Sequence, residues 1–306
     1  MKISKFLVFS LAILLLVFPL PLRAEKPIKI ITTTSDLASI AKEIGKEKVE
    51  VVSLSKGTQD PHFIEVRPSM VMKLKNADLL ILVGMHLDVW IQALIDASRN
   101  HKIKYGQPGY LDVSAGIEKL DIPTSKIDAS MGHVHIYGNP HYWIDPENAK
   151  VIAANIARRL YEISPEDTSY FKKNLNKFNE RVDKKLIEWK KKLAPFKGQK
   201  IAVYHRSWPY FTNRFGFIVA CELEPKPGIP PSPGHLKEVI ERMRQENVRV
   251  ILMEVFYDEE PARFVAQQTG AKVVVVPNSV GGAKEAMDYF SLVDTIVEKI
   301  ARALEG

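Results

Sequence analysis

Three histidines carry the chemistry that this chain could do. His62 lies in Gln59-Asp60-Pro61-His62-Phe63, His141 in Gly138-Asn139-Pro140-His141-Tyr142-Trp143-Ile144-Asp145-Pro146, and His205 in Tyr204-His205-Arg206-Ser207-Trp208. Each stands where an apolar run meets a turn or a helix start. Neutral imidazole is a good ligand for zinc, manganese, iron and related ions. The spacings, 79 and 64 residues, form no local motif. On spacing alone the signal is weak, and three histidines in an α/β chain are more often unrelated. Their position favours a shared site, because open α/β sheets place ligands at strand ends and the adjoining loops. We read them as imidazoles converging on one transition-metal ion.

A fourth group would be a carboxylate, a water or another histidine. Glu254 ends the apolar run Val250-Ile251-Leu252-Met253 and is the acid best placed to be a ligand or a near-site carboxylate. The competing reading is a hydrated acid facing outward. Asp60 and Asp145 each precede a proline, and as Asp-Pro pairs they read as turn-shaping residues. His86 could lie near the cleft. His101 and His235 read as surface residues, and His133 and His135 as a mobile pair that collects metal loosely. No G-x-G-x-x-G, P-loop, H-E-x-x-H or G-x-S-x-G occurs. No nucleophile is paired with a base.

The elements that must position these residues follow from the pattern. Apolar β-branched runs at Ile28 to Thr34, Val49 to Leu54 and Leu79 to Val83 alternate with amphipathic segments, with a short strand near Tyr110 to Val113. The same alternation returns from Lys200 to Leu304. Short links between strands and helices argue parallel sheets with flanking helices. Between the halves, Phe171, Leu175, Phe178, Val182, Leu186, Trp189 and Leu193 make one apolar stripe on a long helix. The expected fold is α/β, two lobes, each a parallel-type sheet with flanking helices, joined by this spine helix. The expected divisions are 25–163 for the N-terminal lobe, 164–194 for the linking helix and 195–306 for the C-terminal lobe. Ser35 and Ser232 are expected helix caps.

Residues 1–24 read as a secretory signal peptide cut after Ala24: a basic start, an apolar run from Phe6 to Leu20, then small or apolar residues. A periplasmic location follows. Removing Lys2, Lys5 and Arg23 and no acids takes the formal charge from +7 to +4. That charge is spread out and argues against nucleic acid as a partner. The one cysteine, Cys221, sits in an apolar run and cannot form an internal disulfide.

Taken together, these segments resemble the metal-binding (zinc and manganese) solute-binding proteins of bacterial ABC transporters. The carriers are Asp60-Pro61-His62 with Pro68, Asn139 to Pro146, Tyr204-His205, the Pro231-Ser232-Pro233 loop and Glu254, and the likeness spans the mature chain. The resemblance implies an ion held between two lobes by His62, His141 and His205. It also implies a membrane permease as partner, and we expect a monomer without enzymatic activity. The family's usual late acidic ligand falls at Asn278 here, which leaves Glu254, Asn278 or water for the fourth position. His205 and the His133/His135 loop resemble the zinc-binding members, and three imidazoles suit Zn2+ better than Mn2+ or Fe2+. The other function consistent with three histidines and an open position is an exported zinc-dependent hydrolase, with Glu254 as its only candidate base.

Overall fold

The computed structural model describes residues 26–123 and 135–305. The proposed signal peptide and His133 lie outside the described residues. Two four-stranded parallel sheets form the frame. In the first, β1 (Ile28–Thr32), β2 (Val49–Ser53), β3 (Leu79–Leu82) and β4 (Tyr110–Asp112) take the order β2-β1-β3-β4. In the second, β5 (Lys200–Val203), β6 (Ile218–Glu222), β7 (Val250–Glu254) and β8 (Lys272–Val276) take the order β6-β5-β7-β8. The two orders are the same, so the halves share a topology as well as a rhythm of elements.

The crossovers are helical, as parallel strands require. The first half uses α1 (Ser35–Gly45), α2 (Pro68–Lys75), α3 (Ile91–Ser98) and α4 (Pro146–Ile163). The long α5 (Thr168–Leu193) follows, and the second half uses α6 (Pro209–Phe215), α7 (Pro233–Gln245), α8 (Glu260–Thr269) and α9 (Tyr289–Glu305). At 1.5 Å per residue α5 spans about 39 Å. Its buried face is Phe171, Asn174, Phe178, Val182, Leu186, Trp189 and Leu193. Leu175 is only partly covered, and Asn174 takes the inner place because its amide donates to the Ile44 carbonyl at 2.9 Å. The spine packs on α4, α1 and α9, and one core cluster runs through both halves.

Local pattern is overridden in places. The apolar, β-favouring run Tyr142-Trp143-Ile144 is a turn of 3-10 helix, fully buried. The Tyr142 hydroxyl donates to the Val83 carbonyl and the Trp143 indole donates to the Asn278 carbonyl at 2.8 Å. Aromatic β propensity is overridden by these side-chain anchors. Ser35 does not cap α1; its hydroxyl donates to the Val280 carbonyl at 2.7 Å, tying the first half to the second. The last helix starts at Tyr289. Ser232 does cap α7, accepting from the His235 amide.

Candidate metal site between the lobes

His62 follows β2 in the loop to α2, and His141 precedes the 3-10 turn that enters α4. His205 lies two residues past β5. The three come together across the two halves. One ligand atom from each lies within 4.8 Å of the others, and all three side chains are buried. Their ring centroids are 5.0 to 5.2 Å apart.

Each ring is fixed through its Nδ1. His62 Nδ1 stands 2.6 Å from Asp60 Oδ1, which also accepts the His62 amide at 2.9 Å. His141 Nδ1 stands 2.9 Å from Asn139 Oδ1, which accepts the His141 amide at 3.0 Å. His205 Nδ1 meets Glu224 Oε2 in a very short contact, and Glu224 Oε1 accepts the Gly228 amide at 2.8 Å. An acceptor on Nδ1 sets the tautomer that leaves Nε2 free to coordinate. The Nε2 atoms of His141 and His205 are buried and have no hydrogen-bond partner. Buried polar atoms are rarely left so. The donor set therefore fits a divalent ion, with Asp60, Asn139 and Glu224 as orienting groups. Asp60 thus does more than shape a turn, and the i, i−2 spacing Asp60/His62 and Asn139/His141 is a signal that sequence reading could have used.

Electrostatics suit a cation. Burial, then the neighbouring His62, His205 and His135, hold His141 well below the ordinary imidazole range. Burial alone would lower His205, but the Glu224 hydrogen bond and the negative field of Glu254 outweigh it and raise its pKa. For Asp60, burial is opposed and exceeded by the hydrogen bond and charge of His62, so its pKa is lowered. Glu254 is fully buried, and desolvation pushes its carboxyl up to about 7 against the pull of His205. It is an inward acid, not a hydrated one. It lies outside the 4.8 Å triplet among the described residues. Asn278 is also buried, and neither side-chain amide atom has a partner.

His135 departs most from expectation. It is buried, its Nε2 lies 3.0 Å from His62 Nε2, and its ring is 6.0 Å from that of His141. His86 and His101 are exposed and His235 packs at the start of α7, with Nε2 3.0 Å from the Glu222 carbonyl. His86 faces Tyr137 at 6.3 Å and is not part of the triplet.

Replacing Glu224 with alanine should weaken zinc binding by about 10- to 100-fold while leaving the ligand set intact, the usual cost of losing an orienting partner. Equilibrium competition against a chelator checks it; unchanged affinity would mean that His205 holds its orientation without Glu224.

Two parallel-sheet lobes on a helical spine, with buried imidazoles from both halves converging between them, define an α/β solute-binding architecture. Residues 30–303 match the family described as ZnuA, zinc-uptake complex component A periplasmic, and the chain belongs to this family. It is a metal-binding solute-binding protein of an ABC transporter, with a divalent metal ion as cargo and a cognate permease as partner. The manganese ABC transporter substrate-binding lipoprotein PsaA of Streptococcus anginosus is 27% identical over 286 residues, covering 90% of this chain and 89% of its own. The metal ABC transporter substrate-binding lipoprotein FimA of Streptococcus parasanguinis is 27% identical over 288 residues, covering 92% and 90%. The crystal structure of ZnuA superposes with a TM-score of 0.76 at 23% identity, covering 91% of this chain and 99% of that one. The Mn-bound periplasmic metal binding protein from candidatus liberibacter asiaticus gives 0.76 at 22% identity over 91% of this chain and all of that one. The family consists of transport components, and an exported hydrolase finds no support in it. No described helix is long and apolar enough to cross a membrane.

Proposed function

We propose that the cargo is zinc, held by His62, His141 and His205 in the interlobe cleft, with Glu254 as a near-site carboxylate. The observation that carries this reading is the convergence of three buried imidazoles from two lobes, each oriented through Nδ1. Nitrogen ligands suit zinc, whereas manganese favours carboxylate, carbonyl and water oxygens. Glu254 contributes charge: once a dication enters, its carboxyl ionises and offsets part of the ion's desolvation. The ion is captured and released without covalent chemistry. Residues 25–163 and 195–306 act as the two lobes, 164–194 as the link, and the mature chain works outside the cytoplasm, after cleavage at Ala24, as a monomer.

The test is competition binding on mature protein stripped of metal. Zinc should be held at one ion per chain and preferred to manganese by at least about 100-fold. A preference for manganese would overturn the metal, and no stoichiometric metal would overturn the site.

A further inference from the structure

We propose that His135 is the fourth protein ligand, so that the ion sits in a set of four imidazoles. The inference rests on the zinc-site reading above and deepens it. The carrying observation is the 3.0 Å separation of His62 Nε2 and His135 Nε2 in a buried setting. Two nitrogens bound to one tetrahedral zinc at about 2.0–2.1 Å lie about 3.3 Å apart. The two rings are thus already at nearly the spacing of a ligand pair, with centroids 5.0 Å apart.

His62 Nδ1 donates to Asp60, so in the neutral ring Nε2 is an acceptor. His135 Nε2–H then donates to it. That contact covers the lone pair that an ion at this site would take. Zinc entry must either expel His135 or recruit it. Recruitment needs a tautomer change, with the ring proton moving to Nδ1, and a shift of the ring that brings its Nε2 lone pair round from His62 to the ion. Expulsion would send a buried ring into solvent. The local chain favours recruitment. A turn closes from the Gly138 amide to the His135 carbonyl at 3.2 Å, and the next anchor is the Asn139 amide on the Leu120 carbonyl at 2.8 Å. On the other side, Asp121 is bound by both arms of Arg206 at 2.9 and 3.0 Å, beside His205. Of the two competing groups, Asn278 is a neutral amide, a poorer zinc donor than imidazole; Glu254, like His135, stands outside the 4.8 Å triplet among the described residues, but it offers oxygen where zinc prefers a further imidazole nitrogen.

The experiment uses the mature chain with His135→Ala, His135→Gln and His141→Ala variants, probed with zinc and manganese alone. X-ray absorption on the zinc-loaded wild type should give four nitrogen neighbours of imidazole type, falling to three in His135→Ala. Zinc affinity should drop at least about tenfold in His135→Ala and His135→Gln, with manganese affinity nearly unchanged, so the selectivity ratio narrows. Three imidazoles in the wild type, or zinc affinity unchanged or tightened by His135→Ala, would overturn the inference and make His135 a cap on the site. Failure of the underlying site would look different: His141→Ala would keep zinc as tightly as the wild type.

Discussion

His141→Ala should fold and yet lose tight metal binding, by roughly hundred- to thousand-fold. The magnitude follows from dividing the about 10–16 kcal/mol of a structural zinc set among four ligands, which gives about 2.5–4 kcal/mol each. His141 is the member least open to replacement. It is buried, its Nε2 has no other partner, and Asn139 fixes its ring from behind. Asn139 is itself anchored across the lobes, donating to the Arg206 carbonyl at 2.8 Å, while its own carbonyl accepts from Tyr210 at 3.0 Å. No water placed in the vacated space would match an oriented imidazole. The fold should tolerate the change because the wall behind is carried by Tyr142, Trp143 and Ile144. Calorimetric titration and a melt of the metal-free variant separate the two effects. Retained affinity would show that the ion is held elsewhere, and a collapsed melt would show that the loss is one of folding.

The second large effect is an opposite pH response with and without metal. Asp36, Asp88 and Glu254 each have a carboxyl raised to about 7, mainly by burial. Their unfolded values lie near 4. Between the two, the native state binds more protons, so stability is fully present below about 4 and is lost as pH rises through about 7. His205, also raised, acts in the same direction. His141 opposes them. Its folded pKa is depressed, so its penalty appears as pH falls below the ordinary histidine value of about 6.5. From about pH 8 to about 6.5 the carboxyls dominate, and metal-free protein should gain about 2 kcal/mol, a rise of several degrees in Tm. Metal reverses the trend. The ion needs unprotonated imidazoles, and a raised His205 must give up its proton to it. The stabilisation by zinc, about 4 kcal/mol at a thousandfold excess over Kd, should therefore shrink over the same interval. Parallel melts at several pH values check both arms. A metal-free Tm that falls on mild acidification would contradict the assignment of the buried acids, and a zinc increment that does not change would contradict imidazole ligation.

Much of this was legible from residue pattern because it rests on burial. The described strands are short apolar runs, most with a buried centre and β2 and β8 partly covered along theirs, and the α5 stripe follows helical spacing with Asn174 the one substitution of a polar group for an apolar one. The three histidines were legible because they sit at the ends of those elements. What was not legible depends on long-range partners. Tyr142 to Ile144 has strand-like composition, and only its bonds to Val83 and Asn278 make it a 3-10 turn. Ser35 has the right type for a cap but finds Val280, 245 residues away. His135 lies in a polar loop with no periodicity, so nothing local marks it as buried against His62. Glu224 sits in a proline-rich loop 19 residues beyond His205, and only the fold brings the two into contact.

A crystal structure of the zinc-loaded mature chain, with anomalous data collected on both sides of the zinc edge, should show one strong zinc peak per chain, about 2.0–2.1 Å from a ring nitrogen of each of His62, His141 and His205. A peak bound by other residues, or none at that place with zinc in excess, would contradict that ligand set.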